Sequence, residues 1–309
     1  MNFCQLKRFW LLALSLMFMQ GCASAPSAKG GDPVASDLGS ENLDLLFATE
    51  FPVASKDEAL MKATHAYRDS NFDKAQFYLV QALKFDLTDA DILAQIGNLH
   101  VRQGNSLLAA RSFQFALQQK PDHAASLEGM GLLYFKSGND DEALKHLERA
   151  VASAPDLWRS YNALGVISDR RENFELAQTY YDAALGIQPS SDSVLINRGY
   201  SKYLNQSYHE AALDFYAVAK RSNNAKAWWN LGLVYGKQGW YEDALECFLE
   251  TADERDAYNE TGAIAMSNGD TEQALHYLSE AIRLSPTYFA EAEKNLAALY
   301  QDKSRSYVN

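Results

Sequence analysis

The sequence predicts an all-α fold, a right-handed α-solenoid of about seven stacked helix pairs closed by a carboxy-terminal capping helix. Three regularities predict it. Glycines stand at Gly97, Gly131, Gly165 and Gly199, each 34 residues after the last, and then at Gly232 and Gly262 after shorter steps. An alanine follows 12 residues after each, at Ala109, Ala143, Ala177, Ala211, Ala244 and Ala274, and Ala63 with Ala75 keeps the same register in an earlier copy. Four residues beyond each alanine comes a large apolar side chain: Leu79, Phe113, Leu147, Tyr181, Phe215, Phe248 and Leu278.

The chain starts differently. Lys7 and Arg8 precede an apolar run from Phe9 to Met19, followed by Gln20, Gly21, Cys22 and the small residues Ala23, Ser24 and Ala25. This is the layout of a secretory signal, and the run is shorter than the roughly 20 residues a spanning helix needs. Met19-Gln20-Gly21-Cys22 resembles the lipobox of bacterial lipoproteins, which implies removal of residues 1–21 and acylation of Cys22. Met19 and Gln20 depart from the usual leucine and small residue. An ordinary signal cut near Ala25 is the competing reading. Ala23 after the cysteine resembles the pattern sent to the outer membrane, where several acyl chains hold firmly.

Residues 22–55 then read as a lipid-anchored tether. Positions 23–42 are rich in Ala, Ser, Gly, Pro and Asp, and about 30 such residues reach roughly 30 Å. Leu43, Leu45, Leu46, Phe47 and Phe51 form an apolar cluster that either caps the first helix pair or occupies a groove.

The solenoid is placed at 56–286. Small residues let antiparallel helices approach closely while the large apolar residue fills the adjoining gap. A second small residue follows at Ala82, Ala116, Ala150, Ala184 and Ala281. Pro121, Pro155, Pro189 and Pro286 end four second helices, because proline cannot donate a helix hydrogen bond. Asn71, Gly104-Asn105, Gly138-Asn139, Asn173, Gly239 and Gly269-Asp270 are expected to supply the left-handed turn between paired helices. Copy five is irregular, with Val218 and Asn223 in the places of alanine and proline. Copy six lacks its proline and is shortened near Thr251 to Ala257, where the superhelix pitch is expected to change. Residues 287–309 read as a capping helix and tail, with Phe289, Leu296, Leu299 and Tyr300 on its apolar side and Glu291, Glu293, Lys294 and Asp302 elsewhere.

This pattern resembles the tetratricopeptide repeat over residues 56 to 300. The resemblance implies that the first helix of each pair lines a concave groove. Projected onto this chain, the inward set is Asn98, Arg102, Leu132, Phe135, Lys136, Asn162, Val166, Arg170, Ile196, Tyr200, Tyr203, Trp229, Leu233 and Lys237. Aromatic and arginine side chains are the usual anchors of protein contacts, and Arg102, Lys136, Arg170 and Lys237 would form a basic rail. About half of the aromatics, Trp229 above all, are expected to pack between repeats instead. The lysine and asparagine clamp of chaperone-binding relatives is not reproduced, since Glu128, Ile196 and Trp229 stand in its places.

Other chemistries find little support. The formal net charge of −12 becomes more negative by two once Lys7 and Arg8 are removed. Nucleic acid is therefore not an expected partner, since its binding rests largely on phosphate neutralisation, and membrane contact is expected only through the acyl chains. His209-Glu210-Ala211-Ala212-Leu213 lacks the second histidine a zinc-protease helix needs, and Gly129-Met-Gly131 lacks the third glycine of a nucleotide loop. With Cys4 removed and Cys22 acylated, Cys247 remains as a small buried hydrophobe. No catalytic residues, metal or cofactor are expected.

Leu164-Gly-Val-Ile-Ser-Asp169, Ala177-Gln178 with Tyr180-Tyr181, and the stretch Asn230 to Gly239 look like the TadD lipoproteins of the Tad/Flp pilus system. That resemblance implies a scaffold for pilus or secretin assembly at the outer membrane, facing the periplasm. The alternative is an adaptor of peptidoglycan enzymes.

Overall fold

Paired helices joined by tight left-handed turns, with one further helix at the end, make up the described residues. The computed structural model describes residues 53–285 and 289–306. Residues 1–52, which carry the expected signal, Cys22, most of the tether and the apolar cluster, lie outside the described residues, as do Pro286, Thr287 and Tyr288. Among the described residues there are fifteen α-helices and no strand.

The helices are α1 (Lys56–Arg68), α2 (Phe72–Leu83), α3 (Ala90–Arg102), α4 (Ser106–Gln119), α5 (Ala124–Lys136), α6 (Asp140–Ser153), α7 (Trp158–Arg170) and α8 (Phe174–Ile187). They continue with α9 (Asp192–Leu204), α10 (Tyr208–Ser222), α11 (Ala225–Lys237), α12 (Tyr241–Leu249), α13 (Glu254–Asn268), α14 (Thr271–Leu284) and α15 (Ala290–Ser306). Odd-numbered helices are the first of each pair.

Each pair turns through one left-handed residue, and this corrects the expectation for two asparagines. Positive φ falls at Ser70, Gly104, Gly138, Glu172, Gln206, Gly239 and Gly269. Asn71 and Asn173 sit one residue later with φ −88° and −95° and cap the second helix, their side chains accepting from the Lys74 and Leu176 amides. Asparagine oxygen satisfies an orphan amide at a helix start, so its local bonding places it there and leaves the strained position to Ser70 and Glu172. Gln206, which no glycine or asparagine signal marked, takes the same conformation.

Second helices end as the prolines require. Lys120 and Ala154, each just before a proline, are extended with φ −136° and −144°, and Gln188 before Pro189 has also left the helical region with φ −127° and ψ 78°, as a following pyrrolidine ring disfavours helical backbone. In copy five the stop is made differently. Asn223 is left-handed at φ 48°, and its side-chain oxygen accepts from Trp228 Nε1 at 2.8 Å. The expected shortening in copy six is borne by α12, only nine residues long.

The small and large columns interlock. A Cβ built on Gly97 would lie 2.5 Å from the Phe113 ring, on Gly165 2.6 Å from Tyr181, and on Gly232 2.7 Å from Phe248. Leu147, Phe215 and Leu278 fill the same place against Gly131, Gly199 and Gly262. Every residue of that apolar column is buried, as is Val218 in the place of an alanine. The last helix, α15, packs through Ala292, Leu296 and Leu299, but Tyr300 is exposed rather than on the packed side. Leu299 already meets the cluster around Tyr241 and Tyr277, and the next residue along a helix points about 100° away.

Candidate protein-binding groove

First helices touch first helices from pair to pair: α3 with α5, α5 with α7, α7 with α9, α9 with α11, α11 with α13 and α13 with α15. Second helices do not pack on one another in this way. A stack that is closer on one side curves toward it, so residues 53–306 present the first helices on the inner face.

The sequence-predicted set divides there. Asn98, Arg102, Lys136, Arg170 and Tyr200 are exposed, whereas Leu132, Phe135, Asn162, Val166, Tyr203, Trp229, Leu233 and Lys237 are half-buried. Ile196 is a correction: it is 5% exposed, within a core cluster with Phe215 and Leu231. It therefore offers no surface to a ligand. The half-buried aromatics also serve the stack. The Trp229 and Phe248 ring centroids are 4.9 Å apart, and Tyr203 lies between Tyr200 and Tyr208 at 6.1 and 5.7 Å.

Three of the four expected rail cations are engaged by neighbouring copies. Arg102 Nε donates to the Tyr67 hydroxyl at 3.0 Å. Arg170 donates to Asp140 at 2.7 Å and lies 4.9 Å over the Phe135 ring. Lys237 donates to Ser267 at 2.7 Å. Lys136 is exposed and has no ion-pair partner among the described residues, nor has Arg68, two copies earlier in the same column. Arg68 was missed by sequence reasoning, although its 34-residue step to Arg102 carried the signal.

Polar side chains join the copies. Asn197 donates to Asn162 at 3.0 Å, and Asn295 to Asn259 at 3.4 Å. Asn230 stands in the place of Asn197 one copy on, but its amide nitrogen is buried without a partner, because the register position of Asn162 is there taken by Ile196. Asp169 accepts from Tyr181 at 2.7 Å and from Ser201 at 2.6 Å, and burial pushes its carboxyl up. Glu128, which accepts from Ser160 at 3.1 Å, is pushed up for the same reason. A compact ion cluster joins α8, α9 and α10: Arg198 reaches Asp182 at 2.7 Å and Asp214 at 2.6 Å, and Lys202 reaches Asp214 at 2.8 Å.

At the amino-terminal end of the inner face lies an open cavity of about 250 Å³ between α1 and α3. Ala63, Leu79 and Tyr67 form much of its wall, with Thr64, Gln95 and Asn98 at its polar edge. Leu79 occupies the column position that Phe113, Tyr181, Phe215 and Phe248 hold in other copies and that Leu147 and Leu278 share.

His209 and Glu210 are exposed at the start of α10. Among the described residues no group of three or more His, Cys, Asp or Glu is placed to hold a metal ion, and no helix is long and apolar enough to cross a membrane. Cys247 is buried, as its apolar pattern predicts, and burial pushes its thiol up to about 12.

Known proteins of the same kind were found by sequence and by structure. One tetratricopeptide repeat family model matches residues 95–157, 131–192 and 162–226, and two further tetratricopeptide repeat models match 225–253 and 256–288. The photosystem I assembly protein Ycf3 of Cyanophora paradoxa is 32% identical over 90 residues, 27% of this chain. The present chain spans about half of that relative, 51% of its length. Among solved structures, a tetratricopeptide repeat protein from Parabacteroides merdae superposes with a TM-score of 0.52 at 19% identity, covering 80% of this chain and 99% of its own. PilW, described as a widely conserved type IV pilus biogenesis factor, gives 0.52 at 20% identity over 67% of this chain and 98% of its own. PilF of Pseudomonas aeruginosa gives 0.52 at 20% identity over 79% and 97%. At such identities the structural likeness is one of fold. With the sequence models spanning the repeats from residue 95 to 288 and the stacked helix pairs described above, the chain belongs to the tetratricopeptide repeat family.

Proposed function

We propose that this protein is a non-enzymatic scaffold lipoprotein, held at the bacterial outer membrane by acyl chains on Cys22, whose inner face supports assembly of a pilus or secretion apparatus. The observation that carries the reading is the inner face itself. Its first helices pack pair to pair and still leave Asn98, Lys136 and Tyr200 exposed, the kind of surface that takes an extended or helical segment. The Met19 to Cys22 pattern supports the anchor. PilW, a type IV pilus biogenesis factor, shares the fold, and the resemblance to TadD lipoproteins points the same way.

The test is a photo-crosslinking residue placed at Tyr200 in cells, with captured proteins identified. Pilus or secretin components are expected. Capture of peptidoglycan synthases or hydrolases would replace the assembly role with the adaptor role, and no capture from any inner-face position would end the scaffold reading. For the anchor, Cys22→Ser should move the protein from the membrane to the soluble fraction. Unchanged membrane association rules acylation out.

A further inference from the structure

Among the described residues, six of the seven second helices begin alike. Each carries an exposed carboxylate in its first turn, at Asp73, Asp141, Glu175, Glu210, Glu242 and Glu272, where the positive end of the helix dipole favours it. The helix α4 breaks this rule. Its first turn holds no acid, and the register positions of those carboxylates are taken by Leu107 and Leu108, 67% and 42% exposed. Arg111 and Phe115, both exposed, continue the stripe at one-turn spacing, on a helix whose packing partners are α3 and α5. From Ile92 to Pro121 the chain has no Asp or Glu, whereas Arg102, Arg111 and Lys120 stand there, in a protein of formal net charge −12. Arg102 is turned to the Tyr67 hydroxyl, but Arg111 has no ion-pair partner among the described residues. The surroundings are of mixed sign: Asp73 stands next to Lys74 on α2, Glu142 is tied to Lys145 on α6 at 2.7 Å, and Asp91 on α3 meets His123. The acid-free face is therefore that of α4 alone.

The geometry points to a membrane contact: α4 lies in the plane of a phospholipid surface, with Leu107, Leu108 and Phe115 among the headgroups and upper acyl chains and Arg111 on a phosphate. An amphipathic helix with a cation and no carboxylate on its exposed stripe behaves in this way at a bilayer interface. A protein partner fits less well. The stripe is one helix wide, well short of the roughly 800 Å² that each side of a stable protein interface buries, and a second molecule of this chain placed across a two-fold axis would set Arg111 against Arg111. Lipid asks for no shape complement, and its phosphate supplies the anion that the face lacks. The tether read from the sequence, with a reach of roughly 30 Å from Cys22, brings the headgroups within range of copy two. The inference goes beyond the scaffold reading, takes from it only the anchor, and adds a second lipid contact to the acyl chains. A face of this size binds reversibly, comparable at most to one acyl chain. It orients an anchored molecule and does not retain an unanchored one.

The test uses the mature full-length chain with Cys22→Ser, so that no acyl chain contributes, and concentrated vesicles of phosphatidylethanolamine and phosphatidylglycerol in equal parts. The protein is expected to float with the vesicles. Leu107→Gln with Leu108→Gln should weaken that partition about tenfold or more, since two leucines leave the lipid, and Arg111→Glu should weaken it too, with the fold unchanged by circular dichroism. A second measurement does not depend on those variants. A polarity-sensitive dye on Phe115→Cys should shift its emission to the blue when vesicles are added, and the same dye on Glu246→Cys, in the register position of Arg111 on α12, should not; Cys247 is buried and shielded from the label. No shift at position 115, an equal shift at 246, or flotation indifferent to the leucine substitutions overturns the inference. So does capture of a protein by a crosslinker at position 115 in the absence of flotation, which would give the face to a protein partner. Crosslinking at Tyr200 and release from the membrane by Cys22→Ser report on the scaffold and its anchor separately, so either reading can fail alone.

Discussion

Gly165 yields its side-chain place to Tyr181. A methyl group on Gly165 would sit 2.6 Å from the Tyr181 ring, while the tyrosine hydroxyl donates to Asp169 at 2.7 Å on the same helix as the glycine. Tyr181 is thus fixed at both ends, by close packing against α7 and by one hydrogen bond. Gly165→Ala is expected to cost about 1–3 kcal/mol, as overpacking does. In a double-mutant cycle with Tyr181→Leu, the two changes should fall short of additivity, since residues in contact couple. Chemical denaturation of the four proteins measures this, and full additivity would separate the two residues.

The left-handed turns make opposite predictions at equivalent positions. Gln206 pays the steric penalty of positive φ without glycine's freedom, so Gln206→Gly should stabilise by up to about 1 kcal/mol after glycine's entropic cost. Gly138→Ala at φ 78° should destabilise by about 1–2 kcal/mol. Thermal unfolding of both variants decides, and the same sign for both would contradict the conformational argument.

Asp214 holds two cations, Arg198 and Lys202, in a half-buried cluster. Removing it leaves both charges without their shared partner, and Asp214→Ala should cost about 3–5 kcal/mol, as breaking a buried pair does. The register position of Arg198 one copy earlier is the fully buried Leu164. Replacing Arg198, Lys202 and Asp214 together with apolar residues should therefore be far milder than Asp214→Ala alone, and denaturation midpoints of the two variants provide the comparison.

Glu128 predicts a dependence on pH. Burial raises its folded-state pKa above the unfolded value, so its contribution to stability is fully present below the unfolded carboxylate range and is lost as pH rises through the folded pKa. Glu128→Gln, which can still accept from Ser160, should melt higher than the parent near pH 7.5, and that advantage should shrink as the pH is lowered toward 5. A constant difference across the range would remove the electrostatic explanation.

Much of the fold was legible because close packing leaves a mark on residue size. The glycine at 97, 131 and 165 and the large residue 16 positions later are two halves of one contact, and their spacing alone predicts it. The turns were read one residue out at Asn71 and Asn173, because asparagine suits both a left-handed position and a helix cap, and only the backbone tells which it takes. Gln206 carried no signal at all, since its conformation is imposed by the helices it joins. The inner face was less legible. Ile196 was assigned to it by register, yet it closes into the core with Phe215 and Leu231 instead. Likewise the helical position of Arg102 and Arg170 was readable, but their ties to Tyr67 and Asp140 were not, because these depend on the neighbouring copy.

The shortened α12 has a mechanical consequence. A protein whose copies lean only on those beside them has no centre that must fail first, and strain applied along it collects where a joint is thinnest. With nine residues where its counterparts have 12 to 15, α12 loses the largest share of its length when one turn frays, so copy six is the one whose second helix melts out most completely.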